Sequence, residues 1–586
     1  MAKFDCIADF DDLTGPEALS SAEKNLIEAC KVGGEYIISQ QRPKRKTKAN
    51  TIRATLMRVL ITGGTPECGL SDQGVCLNGA WITGTLDLMF KKGRGPTLLI
   101  ACCFEKELIL KKSEFSWLSL SQCKLPGLSA EGLVVDGVLN LSNLQATQTV
   151  NLMHSKIGVQ LNCKNSEFSG GICNPKINTS AKWNPALNAQ GIKVEGEIFL
   201  DHMKAFGVIN LASADISGSL SCNDASFDGT GGRSFDAQGI DCRGVFFRNL
   251  TAIGRVGLKG AHIKGQFDAT GVRLNGEKDL ALYAESLTVA DDFIWRQNNT
   301  RDVSGGINLA NSHVRHLVDD MESWPEDLIL EGFTYDRITA SPISADERLP
   351  WLAKGSTIEG IFHPQPYTQL AKVLFAMGHD REAKKILMAR ENRLSTVALQ
   401  NLRVKPNGGT YLIFENPLID AQVCGAKAWF WTIGLLAGHG YAPFRALVAM
   451  LALIGVTTFL AYQAWSTGAF APNSDVIVTS NAWQVAMMND CVPAPFPGCE
   501  PNPALTWSND RAQGIDWASF NALAYAADLA LPVVELGQTS AWAPSKDRGV
   551  WGETLWWASW WIELLGWLFT VLGGAAITGL IQRSRE

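Results

Sequence analysis

The 586-residue chain reads as a multidomain protein. A right-handed parallel β-solenoid with a helical cap and a helical hairpin is expected first, then an α-helical transmembrane domain. Three observations predict this. A short repeat steps along the middle of the chain every 11 residues. The two longest apolar runs lie near the end, with 13 of the 19 Trp, all after Ala428. The preceding residues have the mixed polarity of a water-soluble protein, so the bulk values of 19% charged residues and net charge −6 hide a division. The expected boundaries are 1–66 for the cap, 67–345 for the solenoid, 346–426 for the hairpin linker and 427–586 for the membrane domain.

The first residues carry Asp5, Asp9, Asp11 and Asp12 and lack the apolar core of a secretory signal, so the rod is expected to stay on the side where it is made. Pro16 to Cys30 reads as one helix and Asn50 to Ile61 as a second, with Ile52, Leu56, Val59 and Leu60 on one face. Together they are expected to cover the open end of the solenoid. Between them lie Arg42, Lys44, Arg45, Lys46 and Lys48. This run is read as a solvated linker, the alternative being a contact with nucleic acid or anionic lipid.

The repeat is clearest in Gly196-Glu-Ile-Phe-Leu200, Gly207-Val-Ile-Asn-Leu211 and Gly218-Ser-Leu-Ser-Cys222. It resumes at Gly244, Gly254 and Gly265, and earlier copies hold Leu141, Leu152 and Cys163. A second apolar residue follows five positions later, as in Leu152 to Ile157, Leu211 to Ile216 and Leu258 to Ile263. Steps of five and six do not suit a helix, whose apolar residues recur at three and four. A coil with four short faces suits them, at ~22 residues per turn and ~4.8 Å between turns. About a dozen turns would give a rod of roughly 60 Å. Triplets such as Ala214-Asp215-Ile216 and Ser142-Asn143-Leu144 resemble the core of pentapeptide-repeat proteins, with spacing that departs from strict fives. That resemblance implies a fold and no particular activity.

Pro366 to Leu394 reads as two helices broken at Met377-Gly378-His379, a hairpin that resembles a single tetratricopeptide-type unit and is expected to couple the rod to the membrane. Tyr441 to Trp465 and Leu555 to Ile581 are long and apolar enough to span. Ala428 to Leu436 is too short to span and is expected to lie in the interface. Lys427 and Arg445 near the first span, and Arg583 and Arg585 after the second, orient the pair. The rod and C-terminus are then cytoplasmic, the 466–554 loop is periplasmic or extracellular, and the chain is a multi-pass protein of a bacterial inner membrane. Twelve of the 14 Cys precede the first span and read as small buried hydrophobes. The other two, Cys491 and Cys499, are a candidate disulfide in the loop, where an oxidising compartment would allow one.

Within that loop Ala518 to Leu531 reads as a short helix of small and apolar residues, followed by Pro532-Val-Val-Glu-Leu-Gly-Gln538 as an extended segment. Span, half-helix, extended loop, span is a layout that resembles the two-helix potassium-channel-like pore domains, with the half-helix re-entrant. The Thr-Val-Gly-Tyr-Gly filter of those channels is absent, so potassium selectivity does not carry over. Candidate pore residues are Asp528, Pro532, Glu535, Gly537, Gln538 and Glu563. Glu535 is expected to form a ring of carboxylates favouring cations, with Asp528 behind it. The alternative places the segment on the outer membrane surface with Glu535 in water. Glu563, ionisable within a span, lines the pore, pairs with Arg445 of a neighbour, or snorkels toward Trp560 and Trp561.

Over nearly its full length the chain also resembles bacterial proteins named membrane-associated oxidoreductases. The matching residues are Ile52-Arg-Ala-Thr-Leu56, Gly79-Ala-Trp-Ile-Thr-Gly-Thr-Leu-Asp-Leu88, Pro366-Tyr-Thr-Gln-Leu-Ala371 and Leu531-Pro-Val-Val-Glu-Leu-Gly-Gln538. The residues themselves point away from an enzyme. Gly229-Thr-Gly-Gly232 is read as a loop between repeat units, not a dinucleotide turn. Cys102 and Cys103 are adjacent and point to opposite faces of a strand. His313 and His316 have no neighbouring carboxylate cluster in sequence, and no catalytic residue, metal or cofactor is expected. The expected function is an oligomeric, ion-channel-like membrane protein, with four subunits guessed, whose cytoplasmic solenoid binds a protein or small-molecule ligand. Its expected partners are membrane lipid and its own copies, without nucleic acid. A non-conducting membrane-anchored scaffold is the main alternative and a membrane-associated oxidoreductase the weaker one.

Overall fold

The computed structural model describes residues 7–11, 18–65, 68–170, 185–297, 302–404, 416–442, 444–488, 502–509 and 514–577. Cys491, Cys499, Arg583 and Arg585 lie outside them. The chain divides into two compact units, 1–386 and 387–586.

The first unit is a parallel β-solenoid of about 11 turns. A regular turn supplies four short strands, for example Val134–Val135, Val138–Asn140, Gln145–Ala146 and Val150–Asn151. Each pairs with its counterpart one turn on: Val135 with Ile157, Leu139 with Leu161, Ala146 with Phe168, Val150 with Leu187. The residues that step by five and six are therefore the inward ones, and Leu141, Leu144, Leu152 and Cys163 are fully buried. Their core is sealed because every strand edge is covered by the next turn.

The corners are built by short polar side chains. Asn140 Oδ1 accepts from the Ser142 amide at 3.1 Å, and Asn162 and Asn210 repeat the bond with Lys164 and Ala212. This local turn lets the next residue, Asn143 or Asn165, take left-handed backbone, with φ of 55° and 56°. At another corner glycine is required by space: a Cβ on Gly196 would stand 2.0 Å from the Val159 carbonyl oxygen. Later turns lengthen. The strand Ser226–Asp236 is 11 residues long and takes up its excess as register shifts between Asp228 and Phe235. Gly229 to Gly232 thus form a bulge inside a strand and not the expected loop between units.

Both ends are closed. The helix Ser21–Val32 opens with Ser20 and Glu23 capping each other. Glu23 then holds Arg53 through Nε at 2.8 Å and Nη2 at 3.0 Å. Pairing overrides the expected second helix at its start: Thr51–Arg53 is a strand aligned with Trp81–Thr83, and the helix begins at Ala54. The basic run is not a free linker either. Arg42 donates to Gln145 Oε1 at 2.8 Å and Lys46 pairs with Glu105 at 3.6 Å, so this arm lies against the rod.

At the far end the helix Ala345–Gly355 carries Arg348, fully buried and paired with Asp319 at 2.7 and 2.8 Å. Trp324 Nε1 shares the same carboxylate at 2.8 Å, and Arg348 Nε donates to the Pro342 carbonyl. The hairpin is present as Gln365–Ala376 and Asp380–Asn401. Its first helix covers the last strand, with Gln369 donating to the Tyr335 carbonyl at 2.6 Å.

The second unit holds three helices longer than 20 residues: Pro417–Ala437, Phe444–Ser466 and Gly549–Ile577. Phe444–Ser466 and Gly549–Ala575 are long and apolar enough to cross a membrane. Ala428 to Leu436, expected as a short isolated segment, is the last part of the 21-residue helix Pro417–Ala437. That helix starts early because Asn416 caps it and Pro417 fits its first position.

Candidate functional site

The half-helix is Ala522–Ala530, shorter at its start than the sequence suggested. Asn521 is the reason: its Oδ1 accepts from Leu523 and Ala524 amides, both at 3.0 Å, and so fixes the first turn. Tyr525 and Ala530 are buried in a cluster with Ala461 and Ala464 of the first apolar helix and Leu555 and Ile562 of the second. The far end of the half-helix sits on Gly566, where a Cβ would stand 2.0 Å from the Ala530 carbonyl oxygen. Gly566 is roughly 25 Å along Gly549–Ile577 at ~1.5 Å per residue.

The loop that follows is folded back by Asp528. Its carboxylate accepts from the Leu536 amide at 2.7 Å, the Thr539 amide at 2.8 Å and the Thr539 hydroxyl at 2.9 Å. Gly537 supplies left-handed backbone at φ 75° where the loop turns into a short helical turn. Gln538 ties the loop to the start of the half-helix, accepting from the Asn521 amide and donating to the Ser519 carbonyl, both at 3.0 Å. Pro532 is half-buried, while Val533, Glu535 and Leu536 are exposed.

The return path is rigid. Trp542 donates to the Ala518 carbonyl at 2.8 Å, and Trp542–Pro544 pairs antiparallel with Phe470–Pro472 just after the first apolar helix. Trp465, Phe470, Phe520 and Tyr525 pack around it, with Trp465 and Phe520 stacked at 4.2 Å. The half-helix therefore starts and its loop ends at the same end of the two apolar helices.

Asp528, Gly537 and Gln538 are thus brought together, with Glu535 at the exposed turn between them. Glu563 is exposed on the second apolar helix, and among the described residues no hydrogen bond or ion pair joins it to this cluster. Sequence reading missed Asn521, Thr539 and Gly566. An Asn ahead of an apolar helical run is a readable cap signal; the seat on Gly566 is a contact across 36 residues with none.

Elsewhere the thiols behave mostly as expected. Cys163 and Cys222 are fully buried, Cys102 faces the Ile100 carbonyl and Cys103 the Pro43 carbonyl on the opposite side. Cys424 departs from the expectation, being exposed on its helix. His316 also departs: stacking places Asp292 2.8 Å and Asp291 3.6 Å from its Nδ1. Arg337 stands in register one turn beyond, so the trio lies in a polar column on the rod surface, its donor atoms within 4.8 Å of one another. No protein-family model matches the chain, nor does any curated protein or solved structure.

Proposed function

We propose that several copies of this chain assemble in a membrane around a cation-permeable path lined by Leu531 to Gln538, with the solenoid as a cytoplasmic ligand-binding rod. The observation that carries the reading is the half-helix seated at Gly566 between two apolar helices, with its loop returned by Asp528. Non-helical backbone persists at membrane depth only where protein or water satisfies it, and Asp528 satisfies two amides of this loop. Exposed Val533, Leu536, Leu447 and Leu451 supply apolar surface for lipid or for neighbouring copies.

Coupling between rod and path is assigned to Asp380–Asn401. Its early residues Ala383 and Ile386 are buried within the first unit. Later residues bond within the second: Arg390 reaches the Tyr441 hydroxyl at 3.4 Å and Asn392 bonds His439 at 2.8 Å. A ligand that favours one position of this helix would bias the first apolar helix, which Tyr441 precedes by three residues.

Ion flux through liposomes tests the proposal. The full-length protein should pass cations and a version ending at Gly425 should not. Glu535→Gln should lower the preference for cations over anions, and unchanged selectivity would remove Glu535 from its role. Absence of flux from full-length protein and also after deletion of residues 1–401 would favour the scaffold.

A further inference from the structure

The N-terminal arm forms one wall of a groove of about 790 Å³ on the side of the rod. Its floor is a column of left-handed corner residues from successive turns: Gln122, Asn143, Asn165 and His202, with φ between 55° and 58°. All four are exposed, and their side chains project from turns stacked at about 4.8 Å. The three amides offer donors and acceptors in a regular row. Among the described residues no apolar side chain lines this groove, so it offers nothing against which to bury an acyl chain.

Some cations of the rod are neutralised along the outer ladders, as in Lys164 with Asp201, Arg248 with Asp268 and Lys259 with Glu285. Arg42 and Lys204 line the groove and, among the described residues, make no ion pair. Arg42 is held in place by the Gln145 side chain at 2.8 Å and the Cys123 carbonyl at 3.4 Å, both neutral. Glu167 lies between, taking a 3.3 Å bond from Gln145. Its charge leaves room for a ligand whose acidic groups are spaced apart by hydroxyl-bearing carbons.

We propose that this groove binds an anionic sugar, with its carboxylate or phosphate on Arg42 and Lys204 and its hydroxyls on the amide column. The inference rests on the reading of the rod as the ligand-binding part. It is tested without ion flux, so a chain that never conducts still answers it. The ligand has two sources, a free sugar acid or sugar phosphate and the same unit within a polymer, and the probes separate them.

Titration calorimetry on full-length protein in detergent would use glucuronic acid, glucose 6-phosphate, an oligogalacturonate, neutral glucose and inorganic phosphate. At least one anionic sugar should bind about tenfold more tightly than glucose and than phosphate, one charge-assisted contact being of that order. Tighter binding of monomers identifies the free source, and tighter binding of the oligomer the polymeric one. Lys204→Gln should weaken binding about tenfold and Lys204→Arg should restore it, with the fold intact because Lys204 is exposed. His202→Asn, which repeats the residue of the preceding turn, should preserve binding of the sugar hydroxyls. Absence of binding by every anionic sugar, phosphate binding as tightly as sugar phosphate, or an unchanged affinity in Lys204→Gln would each overturn the proposal.

Discussion

The rod and the C-terminal unit carry similar apolar residues and treat them in opposite ways. In the rod Leu139, Leu161 and Leu211 are each 0% exposed, because every turn is the lid of the one before. In the C-terminal unit Leu447, Leu451 and Trp560 are 61%, 60% and 68% exposed, on helices that no further layer among the described residues covers. The rod buries its apolar faces between its own turns; the C-terminal unit leaves an apolar surface exposed among the described residues. The largest expected consequence is physical partition. Full-length protein should sediment with membranes and require detergent for extraction, while the version ending at Gly425 stays in the supernatant of an ultracentrifuge run. Both forms in the supernatant would show that the apolar helices are covered by some other means, and the comparison would fail.

A second test asks whether the rod depends on its ends as well as its stacking. Arg348 and Asp319 are both fully buried and hold each other with two bonds, at a place where the solenoid would otherwise expose its last turn. Removing one partner leaves a buried charge, so Arg348→Ala should cost about 3–5 kcal/mol of rod stability. Lys92→Ala breaks a pair with Glu114 that is exposed on both sides and should cost less than about 1 kcal/mol. Denaturant unfolding of the two variants, with equal losses, would show that the buried pair is no more than another ladder rung.

These two regions also differed in how far the sequence revealed them. The stacking was legible because the inward residues repeat at fixed steps, and Gly, Leu and Asn recur at the same corner. Arg348 was not legible, since Ala345-Asp-Glu-Arg348 reads as a solvated helical start and its partner lies 29 residues earlier. The carboxylates beside His316 were hidden for the same reason: a solenoid makes neighbours of residues one turn apart, and sequence inspection looks for ligands three or four apart. Thr51–Arg53 looked helical because Ile52 continues the helical spacing of Leu56, Val59 and Leu60, and pairing with Trp81–Thr83 decided otherwise. In the C-terminal unit, composition revealed the apolar helices and the half-helix. It could not reveal Asp528 holding the loop, because nothing in Leu531-Pro-Val-Val-Glu marks which amides turn back.

Glycine sharpens the contrast between regions. Gly196 supports the close approach of one turn to the next, so Gly196→Ala must displace the Val159 carbonyl and should destabilise the rod by about 1–3 kcal/mol. Gly574 in the second apolar helix has open space where a Cβ would stand. Gly574→Ala should leave the melting of the protein in detergent unchanged or slightly raised, helix propensity favouring alanine. A loss at Gly574 as large as that at Gly196 would mean that another copy packs against this face, which would itself count toward assembly.

The smallest effect expected is a pH dependence confined to the N-terminal closure. Burial acts to raise the pKa of Glu23, but hydrogen bonds from Arg53 and the Ser20 and Arg53 amides, with the Arg53 charge, outweigh it and hold the carboxyl below 4.5. A depressed folded-state pKa means that the charged form stabilises the fold. That contribution is fully present above the unfolded value near 4.5 and is lost as pH falls through the folded one. Glu23→Gln should therefore melt below the parent protein at pH 7, and the two melting temperatures should converge as pH falls below about 4. Convergence would tie the difference to the carboxylate charge. A gap that does not narrow at all from pH 7 to about 3 would assign it to the shape of the Glu23 side chain in the cap, since a titrating contribution shrinks once pH falls below the unfolded value near 4.5.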